Sequence, residues 1–402
     1  MILLSVIKFI LNRVSPGSII FHVNLITGLQ WFLFLGLVCW ILLHLIWLSA
    51  RKHSFPFWLS WAIFLIIMAM GEWECYYLMS RSQTVSDNTH GYLLQYYLLY
   101  ERELPEVQSE CARYDPELTY TYKPGATCLQ QAPEFTDTIY INRLGLRDDD
   151  SSLDRPKIIC LGDSYTMGTG VHQWQTYAQV LEQTTGLKVL NAGVSSYGTA
   201  REMMLLKRLD TSALEFLIIQ YCFNDIRENR TYLRRNFNLP VRSEKNYNKL
   251  VSDHKWATMY FPLKRVLTIS RMVTKDLVMR IFSSGKNRKG GLNYDAGYVP
   301  QAAREFLDIL YRSGINFSKV KVLVVDMNRY PVYDHRFIEA ALKQLNSGSY
   351  SEDFKKSVRF PNISSLNDRS YFYPLDNHMN AAGHRLLATL IRNELFLNMH
   401  NR

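Results

Sequence analysis

The sequence predicts an α/β domain built on a parallel sheet and preceded by a helical hairpin in a membrane. Three observations carry this. Residues Gly28 to Ala50 form a nearly uninterrupted apolar run, a second run extends from about Phe55 to Gly71, and from Pro156 onward short apolar runs alternate with amphipathic helical patterns. Crossing a hydrocarbon core of ~30 Å takes about 17–25 helical residues, so the first run qualifies with ease and the second at the lower limit. Composition agrees, since 48% of the 402 residues are hydrophobic and 20% charged. That balance excludes disorder over most of the chain and suits two or three folded units.

In chain order, residues 1–27 form an N-terminal tail whose apolar stretch Met1 to Leu11 can lie in the membrane interface. Residues 28–79 form the hairpin. Trp31, Trp47, Trp58, Trp61, Trp73, Tyr76 and Tyr77 fall towards the ends of the two runs, where amphipathic rings favour the headgroup layer. The first run starts too late, and lacks the small-residue cleavage site, for a signal peptide. Arg51 and Lys52 occupy the tight loop, whereas Glu72 and Glu74 follow the second run. Positive loops stay cytoplasmic, so the expectation is a two-span membrane protein with the rest of the chain on the extracytoplasmic side.

Residues 80–155 are Tyr-rich and turn-rich, with alternating stretches such as Thr138 to Asn142, and read as an accessory β segment. Cys111 and Cys128 flank a short loop-rich stretch. They could close a disulfide in an oxidising compartment or remain two free thiols. With six cysteines and no Cys-x-x-Cys spacing, neither a structural metal nor a disulfide scaffold is expected.

From residue 156 to 402, the runs Lys157 to Leu161, Lys188 to Asn191, Leu214 to Cys222 and Lys319 to Asp326 read as parallel strands joined by helical crossovers. Ligand chemistry in such sheets sits at the carboxyl ends of the strands. The first strand runs straight into Gly162-Asp163-Ser164, with a helical pattern beginning around Trp174. A serine at that junction suits a nucleophile whose own amide donates to an oxyanion. The next two strands end at Gly193 and at Asn224-Asp225, and Asp376-Asn377-His378 stands before a closing helix. Gly193 offers an unobstructed amide, Asn224 a carboxamide donor, His378 a base and Asp376 its orienting carboxylate. His384, six residues later, is expected to be structural, and Cys160 and Cys222 to be inert packing residues inside strands.

These four blocks, in this order, resemble the SGNH (GDSL) hydrolase superfamily of serine esterases, lipases, acylhydrolases and some acyltransferases. The resemblance covers residues 156 to about 398. It implies a flavodoxin-like three-layer fold, Ser164 as nucleophile, His378 as general base, and the Ser164 amide, Gly193 and Asn224 as oxyanion-hole donors. No cofactor and no metal are required. Many members place the acid three residues before the histidine, a position held here by Leu375, which leaves Asp376 as the local candidate. Membrane-attached relatives are often similar in this respect.

Between Asp225 and the helix that starts near Val299 lies a long insertion, about 227–297. Residues 227–289 carry 16 Lys and Arg against 4 Asp and Glu, or +12, while the whole chain carries +10. Within it, residues 262–282 place Leu263, Val266, Leu267, Ser270, Val273, Leu277 and Ile281 at helical spacing, with Lys264, Arg265, Arg271, Lys275 and Arg280 between them. Such a basic amphipathic helix can lie on an anionic membrane or pack its apolar stripe on the α/β core. Nucleic acid is not an expected partner, for want of any aromatic-basic module.

The expectation is a membrane-anchored serine esterase acting on O-acyl (acetyl or fatty acyl) esters of a cell-envelope glycan or lipid. An O-acyltransferase would use the same residues. A non-catalytic glycan-binding or assembly protein on the same fold is the third reading, and intact Ser164, Asn224 and His378 argue against it.

Overall fold

A computed structural model describes residues 57–80, 96–269, 271–272, 298–327 and 336–400, together with Trp40 and His44. The chain divides into two compact units, one of residues 1–101 and 259–289, the other of residues 102–258 and 290–402.

The second unit is organised by a five-stranded parallel sheet. Strands β5 (Ile158–Leu161), β6 (Val189–Asn191), β7 (Phe216–Tyr221), β8 (Lys321–Asp326) and β9 (Val358–Arg359) lie in the order β6-β5-β7-β8-β9. Ile158 stands opposite both Val189 and Phe216, and Phe216 opposite Lys321. Every residue of β5, β6 and β7 is buried, as expected of strands covered on both faces. One face packs against helices α3 (Tyr177–Thr185) and α10 (Ala381–His400) through Ala178, Leu181, Leu387 and Ile391. The other packs against α4 (Thr199–Leu206), α7 (Val299–Tyr311) and α8 (Arg336–Ser347) through Met203, Phe306 and Phe337. The result is the expected three-layer α/β fold. The strand order reverses direction at β5, so the crevice lies beyond the carboxyl ends of β5 and β7.

Before the sheet, strands β1 (Ala112–Asp115) and β2 (Thr119–Tyr122) pair antiparallel, as do β3 (Thr127–Ala132) and β4 (Phe135–Tyr140). Cys111 and Cys128 are joined by a disulfide with their Cα atoms 5.7 Å apart, which resolves the two alternatives left by the sequence. Closing a loop of this length contributes on the order of 3 kcal/mol.

The first unit contains helix α1 (Phe57–Ser80). The longer apolar run, Gly28 to Ala50, lies outside the described residues except for Trp40 and His44. Among the described residues no helix is long and apolar enough to cross a membrane, so the transmembrane hairpin finds no support in the structure. Helix α1 extends past Gly71 through Glu72 and Glu74, and the buried Glu72 carboxylate accepts from the Arg265 and Val266 amides at 3.3 and 3.1 Å.

The basic insertion contains several elements. Helices α5 (Asp225–Arg234) and α6 (Glu244–Thr258) belong to the second unit, and residues 259–289 to the first. Within residues 259–289, residues 264–269 and 271–272 are described as helix. There the stripe is rotated from the one expected. Val266 and Ile269 are buried, but so is Lys264, whereas Leu267 is 55% exposed. Lys264 Nζ donates to the Tyr100 carbonyl at 3.3 Å, and Arg265 pairs with Glu72 at 3.4 Å and Glu101 at 3.2 Å. Two of the expected surface cations are thus spent inside the unit.

Candidate active site

The turn after β5 is built for close approach. A Cβ on Gly162 would strike Thr166 Oγ1 and lie 2.5 Å from Gln220 Oε1, so only glycine fits. Asp163 caps the short helix α2 (Ser164–Met167), accepting from the Tyr165 amide at 3.0 Å. The helical pattern therefore begins at Ser164 itself, earlier than expected, and Trp174 sits exposed in a separate turn. As the first residue of α2, Ser164 has an amide with no intrahelical acceptor. The far end of α2 is held by Arg147. Its buried guanidinium donates to the carbonyls of Met167 (3.2 Å), Gly168 (2.5 Å) and Val171 (2.6 Å) and pairs with Asp137.

Ser164 Oγ lies 2.6 Å from His378 Nε2, although 214 residues separate them. On its other side His378 Nδ1 meets Asp376 Oδ1. The carboxylate fixes the proton on Nδ1 and leaves Nε2 free to accept from the serine hydroxyl. A spacing of two works because Asn377 adopts a left-handed backbone with φ 63°, a conformation Asn tolerates, and so folds Asp376 back beside the imidazole. The Asn377 carbonyl accepts from Tyr165 Oη at 3.0 Å, and its amide donates to Tyr373 O at 2.9 Å. Arg102 Nε stands 3.4 Å from Asp376 Oδ2.

Asn224 follows β7 and donates from Nδ2 to Asp163 Oδ2 at 2.8 Å. One of its two amide hydrogens makes that bond, and the second remains for an oxyanion. Asp163 is buried, and desolvation holds its carboxyl above the usual range. Gly193 follows the end of β6, where its amide donates to Asn191 Oδ1 at 3.1 Å and closes a side-chain turn. It can join the oxyanion donors only when that bond is shared or released. Its lack of a side chain is needed for packing, since a Cβ would come within 2.7 Å of the Thr166 carbonyl carbon.

His384 is buried in α10, where Nδ1 accepts from the Tyr177 amide at 3.2 Å and so caps the start of α3. Burial, reinforced by the positive charge of Arg147, pushes its pKa down to about 3. A neutral acceptor buried at a helix start is a structural histidine, as the sequence suggested. Cys160 and Cys222 are buried and desolvation pushes both thiols up, consistent with inert packing. Among the described residues no group of three or more His, Cys, Asp or Glu could hold a metal ion.

Sequence reasoning missed three residues here. Arg102, Glu134 and Arg147 all come from the segment before the sheet and reach the site through tertiary contact. Glu134 Oε1 and Oε2 accept from the amides of Leu375 (2.9 Å) and Asp376 (2.7 Å). No local pattern announces any of them.

The GDSL-like lipase/acylhydrolase family matches residues 160–386, more than half of the chain. No curated protein matches it. Solved structures similar to the chain include that of a G-D-S-L family protein from Desulfitobacterium hafniense DCB-2. It is 9% identical, covers 59% of this chain and 98% of its own, and superposes with a TM-score of 0.29, too low to support any transfer of detail. The chain belongs to the GDSL-like lipase/acylhydrolase family and is an ester-hydrolysing serine hydrolase.

Proposed function

We propose that this chain is a membrane-anchored, outward-facing esterase that removes acetyl or fatty acyl groups from a cell-envelope glycan or lipid through an acyl-enzyme on Ser164. The observation that carries the mechanism is the 2.6 Å approach of Ser164 Oγ to His378 Nε2, with Asp376 behind the imidazole. Ser164 Oγ attacks the ester carbonyl while its proton passes to Nε2. The Ser164 amide and Asn224 Nδ2, joined by Gly193 once its amide leaves Asn191, donate to the oxyanion. Each such donor is worth roughly 2.7–4 kcal/mol of barrier. The tetrahedral adduct collapses as Nε2–H protonates the leaving alcohol. Water then gives a proton to Nε2 as it attacks the acyl carbon, and the second adduct collapses by breaking the bond to Ser164 Oγ, which takes the proton back from Nε2 as the acid leaves.

The test is product analysis on the full-length protein in membranes, given an O-acetylated glycan or an acylated lipid. Release of free acetate or fatty acid is expected. Passage of the acyl group to a glycan hydroxyl with no free acid would make the protein a transferase. No turnover of either substrate would remove the envelope reading while leaving the esterase chemistry to stand.

Outward orientation is supported by Arg51 and Lys52 between the apolar runs and by the Cys111–Cys128 disulfide, which persists in oxidising compartments. Anchoring is supported by the length of the run Gly28 to Ala50. An alkaline phosphatase fused to the C-terminus should be active in cells. Activity only from a reporter that works in the cytoplasm would contradict the orientation.

A further inference from the structure

We propose that Glu134 is a positioning residue, whose carboxylate holds the Asp376–His378 loop in the bend that a two-residue spacing demands. This rests on the roles given above to Asp376 and His378.

Glu134 lies at the turn between β3 and β4, more than 240 residues before the loop it grips. One carboxylate straddles two consecutive amides, Leu375 N on Oε1 and Asp376 N on Oε2. Its neighbour Phe135 packs on Tyr373 with ring centroids 5.0 Å apart, and Tyr373 Oη donates to Gly170 O at 2.7 Å. The hairpin tip therefore holds the loop by a polar fork and an aromatic contact together. The position three before the histidine, where many relatives carry their acid, is Leu375, and here an external carboxylate binds its backbone instead. Strain at Asn377, a left-handed residue between Asp376 and His378, is thereby opposed on the Asp376 side.

The grip depends on charge. Ionised, Glu134 accepts at both oxygens, whereas a protonated carboxyl turns an O–H towards one of the two amides. Burial pushes its pKa up to about 7, against the pull of the two amide bonds. The groups that face it are Asp376 and Tyr373 on the loop and Arg369 just before it, of which Asp376 raises and Arg369 lowers its pKa. As pH falls through about 7 the fork opens, so part of the enzyme's loss of activity in acid should belong to Glu134.

The experiment measures kcat and KM for p-nitrophenyl acetate from pH 5 to 9 for wild type, Glu134→Gln, Asp376→Asn and the double variant, with Ser164→Ala as control. Gln keeps one acceptor and sets an NH2 against the other amide. We expect kcat to fall about 10²-fold with KM within about threefold, as for a misplaced catalytic group. The acid limb of kcat should be steeper than one decade per pH unit in wild type, because His378 must also be neutral, and should relax to unit slope in Glu134→Gln. In the Asp376→Asn background the second substitution should cost no more than about threefold, since residues acting through one another are not additive. A Glu134→Gln rate within about twofold of wild type, an unchanged acid limb, or additive losses would each overturn the proposal. If Glu134→Gln does not fold, Glu134→Asp, which keeps both acceptors on a shorter stem, should show an intermediate kcat and the steep limb. A unit slope in wild type would overturn the proposal without any variant. If Ser164→Ala is inactive and Glu134→Gln is normal, only the positioning role falls. If Ser164→Ala is active, the site reading falls and the positioning role with it.

Discussion

Ser164→Ala is expected to lower kcat for p-nitrophenyl acetate by roughly four to six powers of ten while leaving the fold intact. The size of the loss follows from the geometry. Ser164 Oγ is 2.6 Å from His378 Nε2, and without it the imidazole has no hydroxyl to activate. The fold should survive because the cap of α2 is Asp163, whose bond to the Tyr165 amide does not involve Ser164. Arg147 still holds the other end of the helix. Circular dichroism and a thermal melt check the second half of this prediction, and steady-state kinetics the first. A variant with near wild-type turnover would mean that ester hydrolysis runs through another group.

Asp376→Asn should be the next largest effect, a fall of about 10⁴ in kcat with little change in KM. Asp376 Oδ1 faces His378 Nδ1 and so keeps the proton there. An Asn can turn its NH2 to that nitrogen, which moves the ring proton to Nε2 and blocks acceptance from Ser164. The substitution also removes the charge that Arg102 faces across 3.4 Å. Small activity should persist, because the ring still samples the productive tautomer. An unaffected rate would show that no carboxylate at this position contributes, and would undo the inference about Glu134 as well.

How far the sequence reached depends on whether a feature was local. Strands β5, β6 and β7 were readable because burial on both faces makes each a continuous apolar run, Ser164 and Asn224 because they follow such runs, and His378 because it stands just before the closing helix. Asp376 was the nearest carboxylate, but what makes its spacing work is the left-handed Asn377, and a single Asn in a turn-rich stretch does not announce its φ. Glu134, Arg102 and Arg147 were hidden because their roles arise only when the accessory hairpins fold against the sheet domain. The strand pattern did not show that the Gly193 amide has an acceptor two residues earlier, in Asn191 Oδ1 at 3.1 Å. In the basic insertion, helical period alone put Leu267 inside and Lys264 outside. The Tyr100 carbonyl gives the lysine a buried partner, and Glu72 binds the amides at the start of this helix, which turns the stripe around.

The most direct measurement is active-site labelling of the full-length protein with a fluorophosphonate, followed by peptide mapping. A phosphonylated peptide carrying the label on Ser164 is expected, with labelling lost in Ser164→Ala and strongly slowed in His378→Ala. His384→Ala, which removes an acceptor for the Tyr177 amide at the start of α3 and no atom of the Ser164–His378 pair, should still be labelled at Ser164 wherever it folds. A label on any other residue, or an active enzyme that takes up no label, would contradict the assignment of Ser164 as the nucleophile.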